Sequence, residues 1–174
     1  VFVDPRTGNV ILRMDDQFLF QRNSSKLSHV AKNTLKKVIP LYVEELFQDK
    51  KIASKIHHIN IVGHASPRFR QRFVNPNGKN QKAYNYNLDL SSDRARSIVK
   101  YIFSRSFGSF KHRLDFRNKV QAIGKSFSQP VARTPASKGD AIKNCGQYDC
   151  KLSRRVEISF TLKDSKDAWS ETPR

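Results

Sequence analysis

Residues 86–95 read YNLDLSSDRA and contain a serine at which a helix could begin. Serine is favoured immediately before the first turn of a helix, because its hydroxyl accepts a hydrogen bond from an otherwise unpaired backbone N–H, so Ser91 is predicted to be an N-cap. The apolar residues that follow recur at intervals of three and four, as one buried helical face requires, and they are Ala95, Ile98, Val99 and Ile102. Arg96 and Lys100 fall outside this set and are predicted to face water.

Strand patterns occur on both sides of this helix. The clearest is at residues 156–162, where apolar and polar side chains alternate with the period of a half-buried strand. Residues 56–62 show the same alternation, and residues 120–123 form a short apolar run. Near the start of the chain, residues 10–12 and 18–20 flank a polar turn and are predicted to form a strand or a hairpin.

A longer helix is predicted over residues 27–47, where apolar residues again recur at intervals of three and four. Ser24 and Ser25 are its candidate caps. Pro40 is expected to kink this helix or to divide it into two shorter ones, because proline lacks a backbone donor and clashes with the preceding turn.

The predicted order of elements is strand, helix, strand, helix, strand, loop, strand, which indicates an α/β sandwich with helices on one face of the sheet. Residues 67–85 are basic, rich in amides and carry a turn signal at residues 75–78, so they are predicted to be a long loop, as are residues 125–153. The charged residues 163–174 are predicted to be a disordered tail. One domain over residues 1–162 is therefore expected.

The chain is strongly basic, with 33 Lys and Arg residues, 15 Asp and Glu residues and a formal charge of +18. Nucleic acid, anionic lipid headgroups and acidic cell-wall polymers would all be attracted by such a charge, so charge alone does not choose among them. No run approaches the roughly 18 consecutive apolar residues that span a bilayer. Because Val1 is not an initiator methionine, the chain is expected to be a processed product or a fragment whose membrane anchor or export signal lies upstream.

Cys145 and Cys150 are the two cysteines of the chain and lie in a polar stretch. A disulfide between them would contribute about 2 kcal/mol in the chain-entropy model and would require an oxidising compartment such as the periplasm. Two free thiols in a cytosolic loop are the alternative. A zinc site would need more ligands at conventional spacing than the neighbouring sequence supplies, so no metal is predicted.

The histidines do not form a recognisable catalytic pattern. His58 and His64 have no third ligand at a known metal spacing, and no nucleophile elbow surrounds Ser66. The chain is therefore predicted not to be an enzyme and to need no cofactor.

Four segments, in order, resemble the OmpA-like C-terminal peptidoglycan-binding domain shared by OmpA, the Pal lipoprotein and MotB. Residues 59–64 resemble the family strand that ends in Gly-His, and residues 86–95 match its Tyr-Asn-x-x-Leu-Ser-x-x-Arg-Ala motif in full. Residues 124–130 resemble its Gly-x-Gly-x-x-x-Pro loop, with Ser126 in place of the second glycine, and residues 153–158 resemble its terminal Asn-Arg-Arg-Val-Glu strand, with Ser153 in place of the asparagine. The resemblance spans residues 59–162, and residues 10–47 extend it with the strand and helix that open the family domain.

The resemblance implies a βαβαββ fold with a mixed sheet, and a pocket for the diaminopimelate residue of the peptidoglycan stem peptide. Arg94 would grip a carboxylate of that residue, helped by the helix N-terminus at Ser91. The implied ligand-binding residues are Arg94, Ser66, His64, Asn87 and Ser91.

Ser66 stands where the family has the aspartate that accepts the diaminopimelate ammonium group. Three alternatives are open. A carboxylate at Asp89, Asp93 or Asp149 substitutes for the aspartate, the ligand lacks that ammonium group, or the domain has kept the scaffold and lost wall binding.

The loop after Ser66 is longer than the family usually has. Its arginines Arg68, Arg70 and Arg72 lie beside phenylalanines, and they are interpreted either as a basic rim of the pocket or as a solvated loop. Aromatic residues interleaved with arginines could also stack bases, but no nucleic-acid motif is present and nucleic acid is not the expected partner.

The function that the resemblance implies is a non-catalytic, periplasmic domain that binds peptidoglycan and anchors an envelope protein to the cell wall. The parent protein would be held in the inner membrane, as in a MotB-like stator, or in the outer membrane of a Gram-negative-type envelope. A homodimer is compatible with the family. The alternative function is that of a scaffold which binds other proteins or polyanions.

Overall fold

The computed structural model describes residues 2–3, 10–15, 19–20, 24–133 and 145–163. Phe18 of the predicted opening strand or hairpin, and residues 164–174 of the predicted tail, lie outside these ranges. The described elements are, in chain order, β1 (Phe2–Val3), β2 (Val10–Asp15), α1 (His29–Phe47), α2 (Lys50–Lys55), β3 (Ile56–His64), β4 (Arg68–Phe69), β5 (Arg72–Phe73), α3 (Gln81–Ile102), α4 (Arg113–Lys119), β6 (Val120–Gly124), α5 (Cys150–Ser153) and β7 (Arg155–Leu162).

The main sheet has five strands in the order β1-β2-β7-β3-β6. Strands β3 and β6 are parallel, with Ile59 opposite Val120, whereas β7 is antiparallel to both β3 and β2. The parallel pair is joined by a crossover that contains α3, as parallel neighbours require. The prediction of an α/β fold with a mixed sheet is confirmed.

The core lies between the helices and one face of this sheet. Side chains of α1 and α3 form a single apolar cluster with the inward side chains of β3 and β7, and its buried members include Leu35, Ile39, Val43, Ile59, Ile61, Ala95, Ile98, Ile102, Val156 and Ile158. The other face carries polar side chains, among which Gln121 donates a hydrogen bond to Asn60 across β6 and β3 (2.8 Å). The helices therefore cover one face, as the strand alternation predicted.

Helix α1 corrects the sequence prediction in two respects. Its N-cap is Ser28, whose hydroxyl accepts a hydrogen bond from the backbone N–H of Ala31 (2.9 Å), rather than Ser24 or Ser25. The helix also continues through Pro40 to Phe47, so the alternative of two shorter helices is wrong.

Helix α3 begins at Gln81, eleven residues earlier than a cap at Ser91 predicted. Asn80 is the N-cap, and its side-chain oxygen accepts a hydrogen bond from the backbone N–H of Ala83 (3.0 Å). Ser91 is instead fully buried within the helix, and its hydroxyl donates to the carbonyl oxygen of Leu88 (3.0 Å), a bond that serine commonly makes inside helices. The predicted cap at Ser91 is therefore wrong, although the predicted buried residues Ala95, Ile98 and Ile102 are confirmed.

The two predicted loops contain short elements that local patterns did not reveal. Residues 68–73 form the hairpin β4–β5, and the loop that precedes β7 ends in the four-residue helix α5. The hairpin turn places Arg70 and Gln71 in the left-handed region, with φ of 47° and 64°. Such a turn normally carries Asn-Gly, so its usual sequence signal is absent here.

Two glycines set the distance between α3 and the sheet. A Cβ on Gly63, at the end of β3, would overlap the backbone carbonyl of Ser91, and one on Gly124, at the end of β6, would overlap Ser92. Backbone atoms of a packed helix cannot move aside without displacing the helix. Glycine is required at both positions so that α3 can lie against the carboxyl ends of β3 and β6.

We expect Gly63→Ala to lower the free energy of unfolding by about 2 kcal/mol or more, because the added methyl group must displace α3. Urea unfolding monitored by circular dichroism measures this change. His57→Ala, an exposed substitution on the same strand, is the control and should change stability by less than about 0.5 kcal/mol. Equal stabilities for the two variants would contradict the close packing of α3 on β3.

Candidate functional site

The segments that carry the family resemblance meet at one end of the sheet. The backbone N–H of Ala65, just beyond β3, donates to the carbonyl oxygen of Ser126 in the loop after β6 (2.7 Å). The backbone N–H of Ser126 in turn donates to the hydroxyl of Ser91 on α3 (3.1 Å). Ligands of open α/β sheets bind at the carboxyl ends of parallel strands, so this end is the candidate functional site.

Three of the predicted ligand-binding residues are buried and hydrogen-bonded within the protein. The side-chain N–H₂ of Asn87 donates to the carbonyl oxygens of Arg68 and Ala83 (both 3.0 Å), which ties the β4–β5 hairpin to α3. Ser91 bonds Ser126 as described above. Ser66 is also buried, and its carbonyl oxygen accepts from the backbone N–H of Arg68 (2.7 Å).

Arg94 is 4% exposed and contacts Phe20 and Ser24, which belong to what we call the cover segment, Leu19, Phe20 and residues 24–28. Its Nε–H donates to the carbonyl oxygen of Ser24 (3.1 Å), and its guanidinium carbon lies 5.2 Å from the centre of the Phe20 ring. The cover segment is closed by a β-bridge between Phe20 and Leu27.

The predicted help from a helix N-terminus does not apply to Arg94. Arg94 lies fourteen residues beyond the N-cap Asn80, which corresponds to about 21 Å along a helix axis. The partial positive charge at a helix N-terminus acts only within the first turn. The charge that Arg94 offers to an anion is therefore that of its own guanidinium group.

His64 is 2% exposed and pairs across the strands with Arg155. Neither ring nitrogen of His64 has a hydrogen bond among the described residues, and the carboxylate oxygen Oε2 of Glu157 lies 3.5 Å from Nε2. Arg155 donates its Nε–H to the other carboxylate oxygen of Glu157 (2.7 Å). His64 thus lies beside an ion pair between Arg155 and Glu157 near the strand ends.

Burial lowers the pKa of His64, and the positive charges of Arg155 and Lys125 lower it further, whereas Glu157 opposes the change. Burial acts to raise the pKa of Glu157, but its contacts with His64 and Arg155 outweigh burial and lower that pKa to about 2. His64 is therefore neutral and Glu157 ionised at neutral pH.

Asp89, Asp93 and Asp149, the three candidate substitutes for the family aspartate, lie in different surroundings. The carboxylate of Asp93 pairs with Arg96 on the exposed side of α3, and Asp89 is exposed. Asp149 is buried as the N-cap of α5, where its carboxylate accepts a hydrogen bond from the backbone N–H of Leu152 (2.9 Å). None of these contacts involves Ser66.

Two of the three arginines of the predicted basic rim, Arg70 and Arg72, line a separate cleft at the N-terminal end of α3, whereas Arg68 is not among its lining residues and donates to the carbonyl oxygen of Gln71 (3.3 Å). This cleft has a volume of about 500 Å³ and is lined by Phe69, Arg70, Arg72, Phe73, Val74 and Asn80. The hairpin contacts α3 through Asn87, about two turns before Arg94, so its arginines lie apart from the covered guanidinium group.

The predicted disulfide between Cys145 and Cys150 is present, and both residues are buried. Its loop packs against the hairpin, because a Cβ on Gly146 would lie only 3.1 Å from the Phe73 ring. Backbone hydrogen bonds from Asp149 to Val131 (2.9 Å) and from Arg133 to Gln147 (3.0 Å) fix the same loop to the chain that follows β6. The disulfide thus fixes a loop that contacts Phe73, one of the residues that line the cleft.

Two further properties concern the described part of the chain. It contains no group of three or more His, Cys, Asp or Glu side chains that could hold a metal ion. None of its helices has the length and apolar character needed to cross a membrane.

No family model matches the sequence, and no curated protein sequence matches it. Similar folds are found among solved structures. The periplasmic domain of Helicobacter pylori MotB (residues 97-256) is 16% identical, with a TM-score of 0.58 over 93% of this chain and 88% of that chain. The cell wall anchor of the T6SS from Pseudomonas aeruginosa is 17% identical, with a TM-score of 0.52 over 89% and 82% of the two chains.

A MotB-like protein from Desulfovibrio vulgaris is also similar, at 18% identity with a TM-score of 0.50 over 90% of this chain and 75% of that chain. The chain therefore has the fold of MotB periplasmic domains.

Sequence patterns did not indicate two features of this end of the molecule. The grouping of His64 with Arg155 and Glu157 depends on the register of β3 and β7, which are about ninety residues apart. The cleft depends on the hairpin turn and on the early start of α3 at Asn80. The amide-rich composition of residues 75–87 was the available signal for that start, since asparagine is a preferred N-cap.

We expect stability to fall as the pH is lowered from about 7.5 to about 5, because the unfolded chain protonates its histidine near pH 6.5 while buried His64 resists protonation. His64→Asn removes this part of the dependence, so its free energy of unfolding should vary less with pH. Glu157 also destabilises the protein when the pH is lowered further. Because its pKa is lowered to about 2, the contribution of its carboxylate to the free energy of unfolding is lost as the pH falls from about 4.5 towards 2.

Urea unfolding at a series of pH values measures the effect. The exposed His57 serves as the control, and His57→Asn should keep the native pH dependence. A His64→Asn variant with the same pH dependence as the native chain would show that burial of this ring has no effect on its protonation.

Proposed function

We propose that this chain is a non-catalytic OmpA-like domain that binds peptidoglycan and anchors an envelope protein to the cell wall. The observation that carries the proposal is the meeting of the family segments at one end of the sheet, through the hydrogen bonds that join Ala65, Ser126 and Ser91. The similarity to MotB periplasmic domains and to a cell wall anchor supports the same role.

The charge and the disulfide are consistent with this role. A formal charge of +18 attracts acidic polymers, to which peptidoglycan belongs through the carboxylates of its stem peptides. The buried disulfide between Cys145 and Cys150 favours an oxidising compartment, and the periplasm is the one we propose. A membrane anchor outside this chain would attach the domain to the inner or the outer membrane.

Arg94 is the proposed contact for a carboxylate of the stem peptide. Arg94 is 4% exposed and its Nε–H donates to the carbonyl oxygen of Ser24, so a ligand must displace the cover segment in order to reach it. That exchange is favourable in principle, because a carboxylate can accept two parallel N–H bonds from a guanidinium group, whereas the carbonyl oxygen of Ser24 accepts the Nε–H bond.

A second candidate function follows from the same geometry. Because Arg94 is covered and Ser66 is neutral, the chain has the features expected of a scaffold that no longer binds diaminopimelate and that binds another protein or a polyanion instead. The two candidate functions differ in whether wall binding depends on Arg94.

We expect the native chain to co-sediment with purified peptidoglycan sacculi at about 0.15 M salt and to keep much of that binding at about 1 M salt, where exposed charges are screened. Arg94→Lys should weaken the salt-resistant binding by about tenfold, because lysine keeps the charge but loses the planar fork that grips a carboxylate. Arg94→Ala should abolish it.

Arg96→Ala is the matched control, since Arg96 lies on the same helix but is exposed and pairs with Asp93. Thermal unfolding of each variant separates loss of binding from loss of folding. Sacculi binding that disappears at high salt and is indifferent to Arg94 in folded variants would favour the scaffold function.

Ser66→Asp restores the acidic residue of the family motif and should raise the affinity for a stem peptide that contains diaminopimelate by about tenfold, through one charge-assisted hydrogen bond. Isothermal titration calorimetry with the soluble peptide measures this change. Ser128→Asp adds the same charge at an exposed position of the neighbouring loop and should leave the affinity within about twofold of the native value. Equal effects of the two substitutions would argue against an ammonium contact at Ser66.

A further inference from the structure

The cleft beside the β4–β5 hairpin carries positive charge that the described part of the protein does not neutralise. Residues 67–88 contain five Lys or Arg residues and no Asp or Glu. Arg70 and Arg72 line the cleft, are exposed and make no salt bridge to a described carboxylate. Asn80 caps the N-terminus of the 22-residue helix α3 at the same cleft, so the partial positive charge of that helix adds to the arginines.

The arginines are held in place by a fixed hairpin. The backbone N–H of Val74 donates to the carbonyl oxygen of Pro67 (3.0 Å), and the side-chain N–H₂ of Asn87 donates to the carbonyl oxygen of Arg68. Phe69 packs on a small apolar cluster formed by Val74, Ala83 and Phe127. Arg70 and Gln71 in the hairpin turn both have positive φ, which costs about 1 kcal/mol or more for each residue other than glycine. Such backbone strain persists only where the surrounding structure imposes it.

Aromatic faces accompany the charges. The guanidinium carbon of Arg70 lies 5.4 Å from the centre of the Phe69 ring, and the edge of Tyr86 meets the same ring at 5.5 Å. Phe73 is 41% exposed although it packs against Gly146 of the disulfide loop. Two phenylalanines and two arginines thus share one concave surface.

The shape of the cleft limits the ligand. Its volume of about 500 Å³ is in the range of small-molecule sites, and the disulfide loop at Gly146 lies beside Phe73. A nucleic acid strand needs a groove that follows its backbone over several nucleotides. A planar carboxylate suits the fork of an arginine, and an adjoining ring with apolar faces suits the phenylalanines.

We propose that this cleft is a second binding site, separate from Arg94, for a carboxylate-bearing sugar–peptide unit. Arg70 and Arg72 bind a free carboxylate of the peptide, and Phe69 and Phe73 pack against the sugar. The identity of the polymer rests on the proposed function, since peptidoglycan is the wall polymer that combines these groups. The site gives the domain a contact that does not require the cover segment over Arg94 to move.

Titration of the native chain with a soluble disaccharide–tetrapeptide muropeptide tests the proposal, with binding followed by calorimetry and by NMR. The double variant Arg70→Ala/Arg72→Ala keeps a Cβ at both positions. The backbone of the hairpin turn therefore meets the same steric restriction as in the native chain. This variant should bind the muropeptide about tenfold or more weakly. Lys50→Ala/Lys51→Ala removes the same charge from α2, which precedes the opposite end of β3, a nine-residue strand about 30 Å long, and should change affinity by less than about twofold.

Equal losses in the two double variants would overturn the site, because only general electrostatic attraction would then be acting. Equal binding of a neutral chito-oligosaccharide would overturn the role of the carboxylate. A single-stranded oligonucleotide that binds more tightly than the muropeptide, and loses affinity in the arginine variant, would assign the cleft to nucleic acid instead.

Sacculi distinguish failure of this site from failure of the proposed function. Equal binding of the native chain and the arginine variant to sacculi would contradict the second site and leave the proposed function intact. Binding of neither protein to sacculi would contradict the proposed function itself.

Discussion

The close approach of α3 to the ends of β3 and β6 is the constraint on which the rest of this structure depends. Gly63 and Gly124 have no side chains, and the backbone of α3 at Ser91 and Ser92 occupies the space that a Cβ would need. This contact places the hydroxyl of Ser91 within reach of the loop after β6 and thereby holds that loop against the end of β3. The candidate site, the hairpin and the disulfide loop are all attached to this one junction.

Arg94, the arginine of the segment that resembles the family motif, has its partners inside the protein. A buried guanidinium group must have its donors satisfied, and the carbonyl oxygen of Ser24 and the ring of Phe20 supply partners from a segment about seventy residues earlier. The cover segment therefore stabilises the charge in the absence of a ligand. In the function that we propose, access to Arg94 is an equilibrium between the carbonyl oxygen of Ser24 and an external acceptor, and a ligand is favoured only if its charge outweighs the cost of moving the segment.

The sheet could be predicted from the sequence because its signals are local. Residues 56–62 and 156–162 alternate in polarity, and the apolar positions of α3 recur with the helical period. The start of α3 could not be predicted from Ser91, since a serine that caps a helix and a serine that bonds backward within one look alike locally. The cover over Arg94 and the grouping of His64 with Glu157 were inaccessible for a different reason, because both depend on contacts between distant parts of the chain.

The charge of the chain bears on the two contacts that we propose with peptidoglycan. A charge of +18 accelerates encounter with any polyanion, but long-range attraction does not discriminate among them. Discrimination requires groups fixed in position before the ligand arrives, since each ordered side chain otherwise reduces the affinity. The hairpin satisfies that condition, with its turn held in a strained conformation and its base bonded to α3, whereas Arg94 satisfies it only after the cover segment moves. An exposed, fixed cleft that captures the polymer and a covered arginine that engages second would together combine rapid capture with selective retention.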